Sequence, residues 1–230
     1  MKHRKENFLI DNKSCIGYIT DAAKYLLIQP VDGHDIEVLD NEVAKIQDNI
    51  DKQFSLIAFK IEDWNSELSP WEAPPAFGNK SFGSGAKDTL EFIESKLIPT
   101  VKEKYNLGVE IKFILGGYSL AGLFSLWSAY KSNTFSGIAA ASPSVWFNGW
   151  GEFMNNNTPL SNTIYLSLGD SEEKTKNKVM SAVGDNIRKQ EELLKNDKIK
   201  TILEWNKGGH FSNSDIRVAK AFIWCIENLG

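Results

Sequence analysis

The sequence predicts an α/β fold: a mostly parallel central sheet covered by helices on both faces, in three layers. Three observations carry this expectation. Short apolar runs of strand length alternate with longer segments of helical spacing along most of the 230 residues. Several runs are apolar throughout rather than alternating, as in strands buried on both faces. The composition, 42% hydrophobic and 24% charged, is that of a globular chain and not a disordered one. No linker and no internal repeat interrupts the pattern, so one domain over residues 1–230 is expected.

The elements follow in order. Lys24 to Gln29 is an apolar run stopped by Pro30, read as a buried strand. Val38, Leu39, Val43, Ile46 and Ile50 have helical spacing, and Phe54 to Phe59 is the next strand. Residues 61–86 hold three prolines, several glycines and the aromatics Trp64, Trp71, Phe77 and Phe82, which predicts a long functional loop that packs on the body. Asp88 is a candidate N-cap for a helix carrying Leu90, Phe92, Ile93, Leu97 and Ile98, with a kink expected at Pro99. Strands are expected at Glu110–Leu115, Phe135–Ala141, Thr163–Leu168 and Ile199–Trp205, about six in all. Helices are expected over Ser119–Tyr130 and Asn177–Asn196, and a last one is capped by Ser212 or Ser214. Trp127, Trp205 and Trp224 fall inside these elements and are assigned to the core.

Charge and cysteine content exclude several functions. Lys plus Arg number 26 against 30 Asp plus Glu, a net charge of −4 with no long basic block, which argues against nucleic-acid binding. No apolar run is long enough to span a membrane, and the N-terminus lacks a signal-peptide core, so a cytoplasmic location is the default expectation. Cys15 and Cys225 are read as buried free thiols, and His3, His34 and His210 are too few for a His-rich metal site. His3 is assigned to a frayed terminus.

The chemistry centres on Gly116-Gly117-Tyr118-Ser119-Leu120-Ala121-Gly122, with a strand running in and a helix running out. A tight strand-to-helix turn of this kind exposes the serine hydroxyl and aims the first helix amides at it, with small residues two before and two after. Those positions are Gly117 and Ala121. Ser119 is the candidate nucleophile and the N–H of Leu120 a candidate oxyanion donor. A serine needs a base. His210, in Lys207-Gly208-Gly209-His210-Phe211 between the last strand and last helix, fits that role, whereas His34 in Pro30–Asp35 reads as a turn residue. Asp170, just after the strand ending at Leu168, is the candidate acid, with Glu172 and Glu173 as alternatives. Trp64, Trp71, Trp146 and Trp150, beside Tyr118, are the candidate pocket aromatics, suited to an aromatic or bulky apolar group.

These residues resemble the putative-esterase branch of the α/β-hydrolase superfamily, the esterase D-like and enterochelin esterase-like enzymes. The likeness rests on Gly-Tyr-Ser-Leu-Ala-Gly-Leu at 117–123, Ala-Ser-Pro-Ser-Val-Trp-Phe at 141–147, Leu-Gly-Asp-Ser-Glu-Glu at 168–173 and Gly-Gly-His at 208–210. Residues 63–71 resemble the loop after the third core strand in such proteins. The resemblance implies an α/β-hydrolase fold and a serine carboxylesterase, with catalytic Ser119, His210 and Asp170. It implies a second oxyanion donor from the 61–86 loop, at Asp63 or Trp64. Of the pocket candidates, Tyr118, Trp71 and Trp146 are the expected substrate contacts. Some relatives work with a Ser–His dyad. The short N-terminus predicts reduced antiparallel edge strands. No cofactor or metal is expected. The expected partner is a small-molecule ester, with no nucleic acid and no membrane, and the chain is expected to be a monomer or homodimer. A thioesterase or acyltransferase with the same residues, or a non-catalytic binding module, is the alternative.

Overall fold

The computed structural model describes residues 3–76 and 78–229, so Phe77 lies outside the described residues. Its strands are β1 (Arg4–Ile10), β2 (Lys13–Ile19), β3 (Tyr25–Val31), β4 (Phe54–Lys60), β5 (Lys112–Tyr118), β6 (Gly137–Ala141), β7 (Thr163–Gly169) and β8 (Lys200–Asn206). These eight form one sheet in the order β1-β2-β4-β3-β5-β6-β7-β8. The six from β3 on pair in parallel. All seven residues of β3 are buried, because β4 and β5 flank it and helices cover both faces. The strand runs through Pro30 instead of stopping there. Its pairing with β5 ends at Ile28, so the missing proline N–H takes nothing from that ladder.

The edge strands are not reduced. β1 and β2 pair antiparallel over seven residues, and β2 pairs antiparallel with β4. Asp11 and Asn12, at φ 45° and 66°, make the two-residue turn between them, the backbone that matches strand twist. At the opposite, open end of the hairpin His3 is held, its Nε2 2.8 Å from the Phe54 carbonyl.

α1 (Gly33–Gln47) and α8 (Ser214–Asn228) cover one face of the sheet. The other face is covered by α3 (Ala86–Phe92), α4 (Ile98–Lys104), α5 (Leu120–Ser128), α6 (Trp150–Asn155) and α7 (Val183–Asn196). α1 begins five residues before its apolar spacing does, because Asp32 and Asp35 close a reciprocal capping box. α3 begins at Ala86 with Gly85 as its N-cap, ahead of Asp88, and α8 is capped by Asn213 rather than a serine. A π turn, Ile93–Leu97, precedes Pro99 and takes up the hydrogen bond that proline cannot make. Within 61–86, a short helix α2 (Trp64–Glu67) and a bridge between Ala73 and Phe82 give the loop its own structure. Trp127 is buried. Trp205 is 40% exposed on the edge strand β8, its ring covered by the Arg188 guanidinium at 4.8 Å.

Cys15 and Cys225 are buried free thiols, as expected. Between β3 and α1, buried Gln29 donates to Glu42 Oε2 at 3.3 Å. Burial pushes the Glu42 carboxyl well above the usual range, so the folded chain keeps its proton. Glu42 therefore contributes fully at low pH. Its contribution is lost as pH rises from the ordinary carboxylate range toward the raised folded value, because there the unfolded chain binds fewer protons. Thermal melts of Glu42→Gln and wild type should lie close together near pH 4 and separate in favour of the variant by about pH 8. A constant difference across that range would contradict a neutral Glu42.

Candidate active site

The C-terminal ends of the parallel strands converge on one edge of the sheet, and the chemistry-bearing residues lie in the loops that leave it. β5 ends at Tyr118 and α5 begins at Leu120, so Ser119 alone makes the turn, at φ 57° and ψ −119°. That strained backbone is held by the Ser119 N–H on the Ala141 carbonyl at 3.2 Å and by Leu123 N–H on the Ser119 carbonyl at 3.0 Å. Strand and helix nearly touch here: a Cβ on Gly117 would lie 2.6 Å from the Ala121 Cβ. Gly117→Ala should cost about 1–3 kcal/mol in denaturant unfolding, as overpacking does. An unchanged midpoint would show that the turn can open.

His210 Nε2 lies 2.9 Å from Ser119 Oγ, and His210 Nδ1 lies 2.7 Å from Glu172 Oε2. The His210 side chain is about one-fifth exposed, and that of Glu172 is buried. The carboxylate on the histidine is therefore not that of Asp170. Asp170 is exposed and accepts the Gly208 N–H at 3.0 Å, bracing the histidine loop from outside. The chain leaving β7 turns at once into a single 3₁₀ turn, Glu172–Lys174, which carries Glu172 back under the sheet edge. Glu173 points away and forms a two-pronged surface pair with Arg188.

Glu172 Oε1 accepts three hydrogen bonds, from Gly169 N–H at 2.7 Å, Ser142 Oγ at 2.9 Å and Arg217 Nη1 at 2.9 Å. Burial acts to raise the carboxyl. His210, the Gly169 amide and the Ser142 hydroxyl more than offset it and hold Glu172 below the usual range, ionised. Gly169 must lack a side chain, because its Cβ would stand 2.3 Å from the Gly208 carbonyl and 2.9 Å from Glu172 Oε1. Tyr118 packs its ring 5.2 Å from that of His210 and donates to the His210 carbonyl at 2.6 Å. Burial raises its phenol, which keeps the donating proton in place.

Two cavities of about 200 Å³ each meet at His210 and Phe211. The first holds Ser119, Tyr118 and Trp64, with Asp32 and, from the first turn of α1, His34 and Asp35. Burial and the Asp32 charge push Asp35 up to about 6. The second is lined by Ser142, Trp146, Glu172, Met180 and Val183. Phe211, 98% exposed, stands between them. Its signal in the sequence is an aromatic placed directly after Gly-Gly-His in a loop.

The remaining expectations divide. Leu120 is the first residue of α5, so its N–H has no partner within the helix. The Asp63 N–H is taken by Glu67 Oε1 at 2.8 Å, and the Asp63 side chain caps α2 and pairs with Lys80, so its amide is not a free donor. The 61–86 loop follows β4, whereas β3 runs through Asp32 directly into α1. Trp71 lines neither cavity. Its Nε1 donates to the Asn148 carbonyl at 2.8 Å and its ring stacks on Trp150, pinning the loop to the body. Trp150 is fully buried, with Nε1 on Gln190. Among the described residues, no group of three or more His, Cys, Asp or Glu side chains is arranged to hold a metal ion.

The chain is similar to known proteins in sequence and in fold. The family described as Putative esterase matches residues 17–212. The fold is similar to that of the siderophore hydrolase EstA from Aspergillus nidulans, at 15% identity and TM-score 0.76, over 99% of this chain and 95% of that one. It is similar to an IroE-like serine hydrolase from Shewanella oneidensis, at 14% identity and TM-score 0.79, over 96% of this chain and 79% of that one. The enterobactin esterase FES from Shigella flexneri aligns at 11% identity and TM-score 0.69, over all of this chain and 60% of that one. Curated proteins gave no match. No helix among the described residues is long and apolar enough to cross a membrane. With an eight-stranded α/β-hydrolase sheet and a family match over most of its length, the chain belongs to the Putative esterase family, enzymes that hydrolyse ester bonds.

Proposed function

We propose that this enzyme is a serine esterase that works through an acyl-enzyme on Ser119, with His210 as base and Glu172 as acid. The observation that carries the reading is the unbroken hydrogen-bonded chain Ser119–His210–Glu172 at the start of α5. Glu172 accepts from His210 Nδ1–H and so leaves Nε2 free to take the serine proton. As Ser119 Oγ attacks the ester carbonyl, the proton passes to His210 Nε2 and Glu172 stabilises the imidazolium. The oxyanion is held by the Leu120 N–H together with an amide at the start of α1, Gly33 or His34, where the helix termini add partial positive charge. The alcohol leaves with the proton from His210. Water, deprotonated by the same nitrogen, then releases the acid and restores Ser119.

The substrates we propose are small or medium esters, one half of them apolar or aromatic. Each cavity is small, and Trp64, Trp146 and Phe211 line them. The test is a rapid-mixing experiment with p-nitrophenyl acetate, butyrate and benzoate. A burst of about one p-nitrophenol per chain, followed by a slower steady state, is the expected signature of acyl-enzyme accumulation. Hydrolysis with no burst, and with no acylated Ser119 in quenched samples, would contradict it. Enterobactin belongs in the panel, because one structural neighbour is named for its hydrolysis.

A further inference from the structure

Arg217 lies in the first turn of α8 and is 2% exposed, one of the largest fully buried side chains of the molecule. A buried guanidinium is costly unless its donors and its charge are met. Both are. Nη1 donates to Glu172 Oε1 at 2.9 Å, to the Tyr118 hydroxyl at 3.0 Å and to Ser142 Oγ at 3.1 Å. Nη2 donates to the carbonyls of Gly209 at 3.0 Å and Lys207 at 3.3 Å. These partners come from the ends of β5 and β6 and from the loops after β7 and β8. One planar group therefore ties together the four segments that surround Ser119, Glu172 and His210.

We propose that Arg217 is a positioning residue of the catalytic centre: it fixes which oxygen of Glu172 faces His210, and it offsets the Glu172 charge that His210 faces. The proposal rests on the serine-esterase reading above. Its physical content is a balance of charge. Glu172 alone would present a buried, uncompensated carboxylate to His210 and favour the imidazolium, which cannot accept the serine proton. With Arg217 on Oε1, the pair carries no net charge, and the Oε2 lone pair still orients the ring. The other ionisable groups around His210 are Tyr118 from β5, Asp170 behind the histidine loop, and Asp32, His34 and Asp35 across the first cavity. Among the groups facing the histidine, Arg217 is the permanent cation, and Lys207 reaches this network through its carbonyl.

The test reads His210 directly. The chain has three histidines, so their ring signals can be assigned and titrated by NMR without any substrate. Arg217→Met should raise the His210 titration midpoint by about one pH unit or more, and fluorophosphonate labelling of Ser119 should slow most at low pH. Arg217→Lys keeps the charge and loses the fork. Its midpoint should stay within about half a unit of wild type, while labelling slows about tenfold at every pH. An unmoved midpoint in Arg217→Met would overturn the charge role. An unchanged labelling rate in Arg217→Lys would overturn the positioning role. If Arg217→Met does not fold, the lysine variant decides alone: a midpoint raised by a unit, or an unchanged labelling rate, sinks the proposal. Because the midpoint is measured without turnover, a failure of the esterase reading shows separately, as wild type that fails to label.

Discussion

Ser119→Ala lowers kcat/KM by at least about 10⁴-fold for every ester the wild type hydrolyses. In the proposed mechanism the hydroxyl is the atom that forms the covalent intermediate, with no neighbour in place to substitute for it. Ser144 Oγ comes within 3.3 Å of Ser119 Oγ, yet the atom on His210 Nε2 is that of Ser119. The residual rate is that of water attacking an ester held by the oxyanion donors. The substitution should not unfold the protein, because the strained backbone at φ 57° is held by main-chain bonds that alanine keeps. Steady-state assays with matched thermal melts check both statements. Equal rates in the two proteins would place the hydrolysis elsewhere.

Glu172→Gln lowers kcat/KM by about 10³–10⁴-fold at neutral pH, while Asp170→Asn stays within about fivefold of wild type. The glutamine amide would present either an NH₂ to His210 Nδ1 or a neutral oxygen, so it would favour the wrong tautomer or fail to stabilise the imidazolium. Asp170 touches the Gly208 amide, and asparagine keeps the accepting oxygen there. Side-by-side kinetics of the two variants decide between the carboxylates. A loss in Asp170→Asn as large as that in Glu172→Gln would mean that the loop after β7 rearranges during the reaction.

The sequence made the central sheet legible where strands are buried on both faces. β3, β4, β5 and β7 are runs of apolar residues that any period-based reading finds. β1 and β2 escaped it, because β1 opens on four polar residues, Arg4 to Asn7, that break any strand pattern, and the Asp11-Asn12 turn lacks the glycine that usually marks a hairpin. The 61–86 segment is long and aromatic and reaches the Ser119 cavity through Trp64, but Asp32 and the first turn of α1, which line the same cavity, carry no comparable signal in the sequence. The Ser119 turn and His210 were readable because small residues flank both. The acid was not. Asp170 stands at the strand end, where a triad acid is expected, but one 3₁₀ turn places Glu172, one of the two alternatives, on His210, and spacing alone cannot choose between them. Arg217 carried no signal either, since a lone arginine in an amphipathic helix reads as a solvated residue until its neighbours from four loops are in place.

The most direct test of the account is fluorophosphonate labelling of the intact protein, followed by mass measurement and peptide mapping. One adduct per chain, mapped to Ser119, slowed by orders of magnitude in His210→Ala and absent in Ser119→Ala, is the expected result. A wild-type protein that remains unlabelled at neutral pH, or an adduct mapped to another residue, would contradict the assignment of Ser119 as the nucleophile.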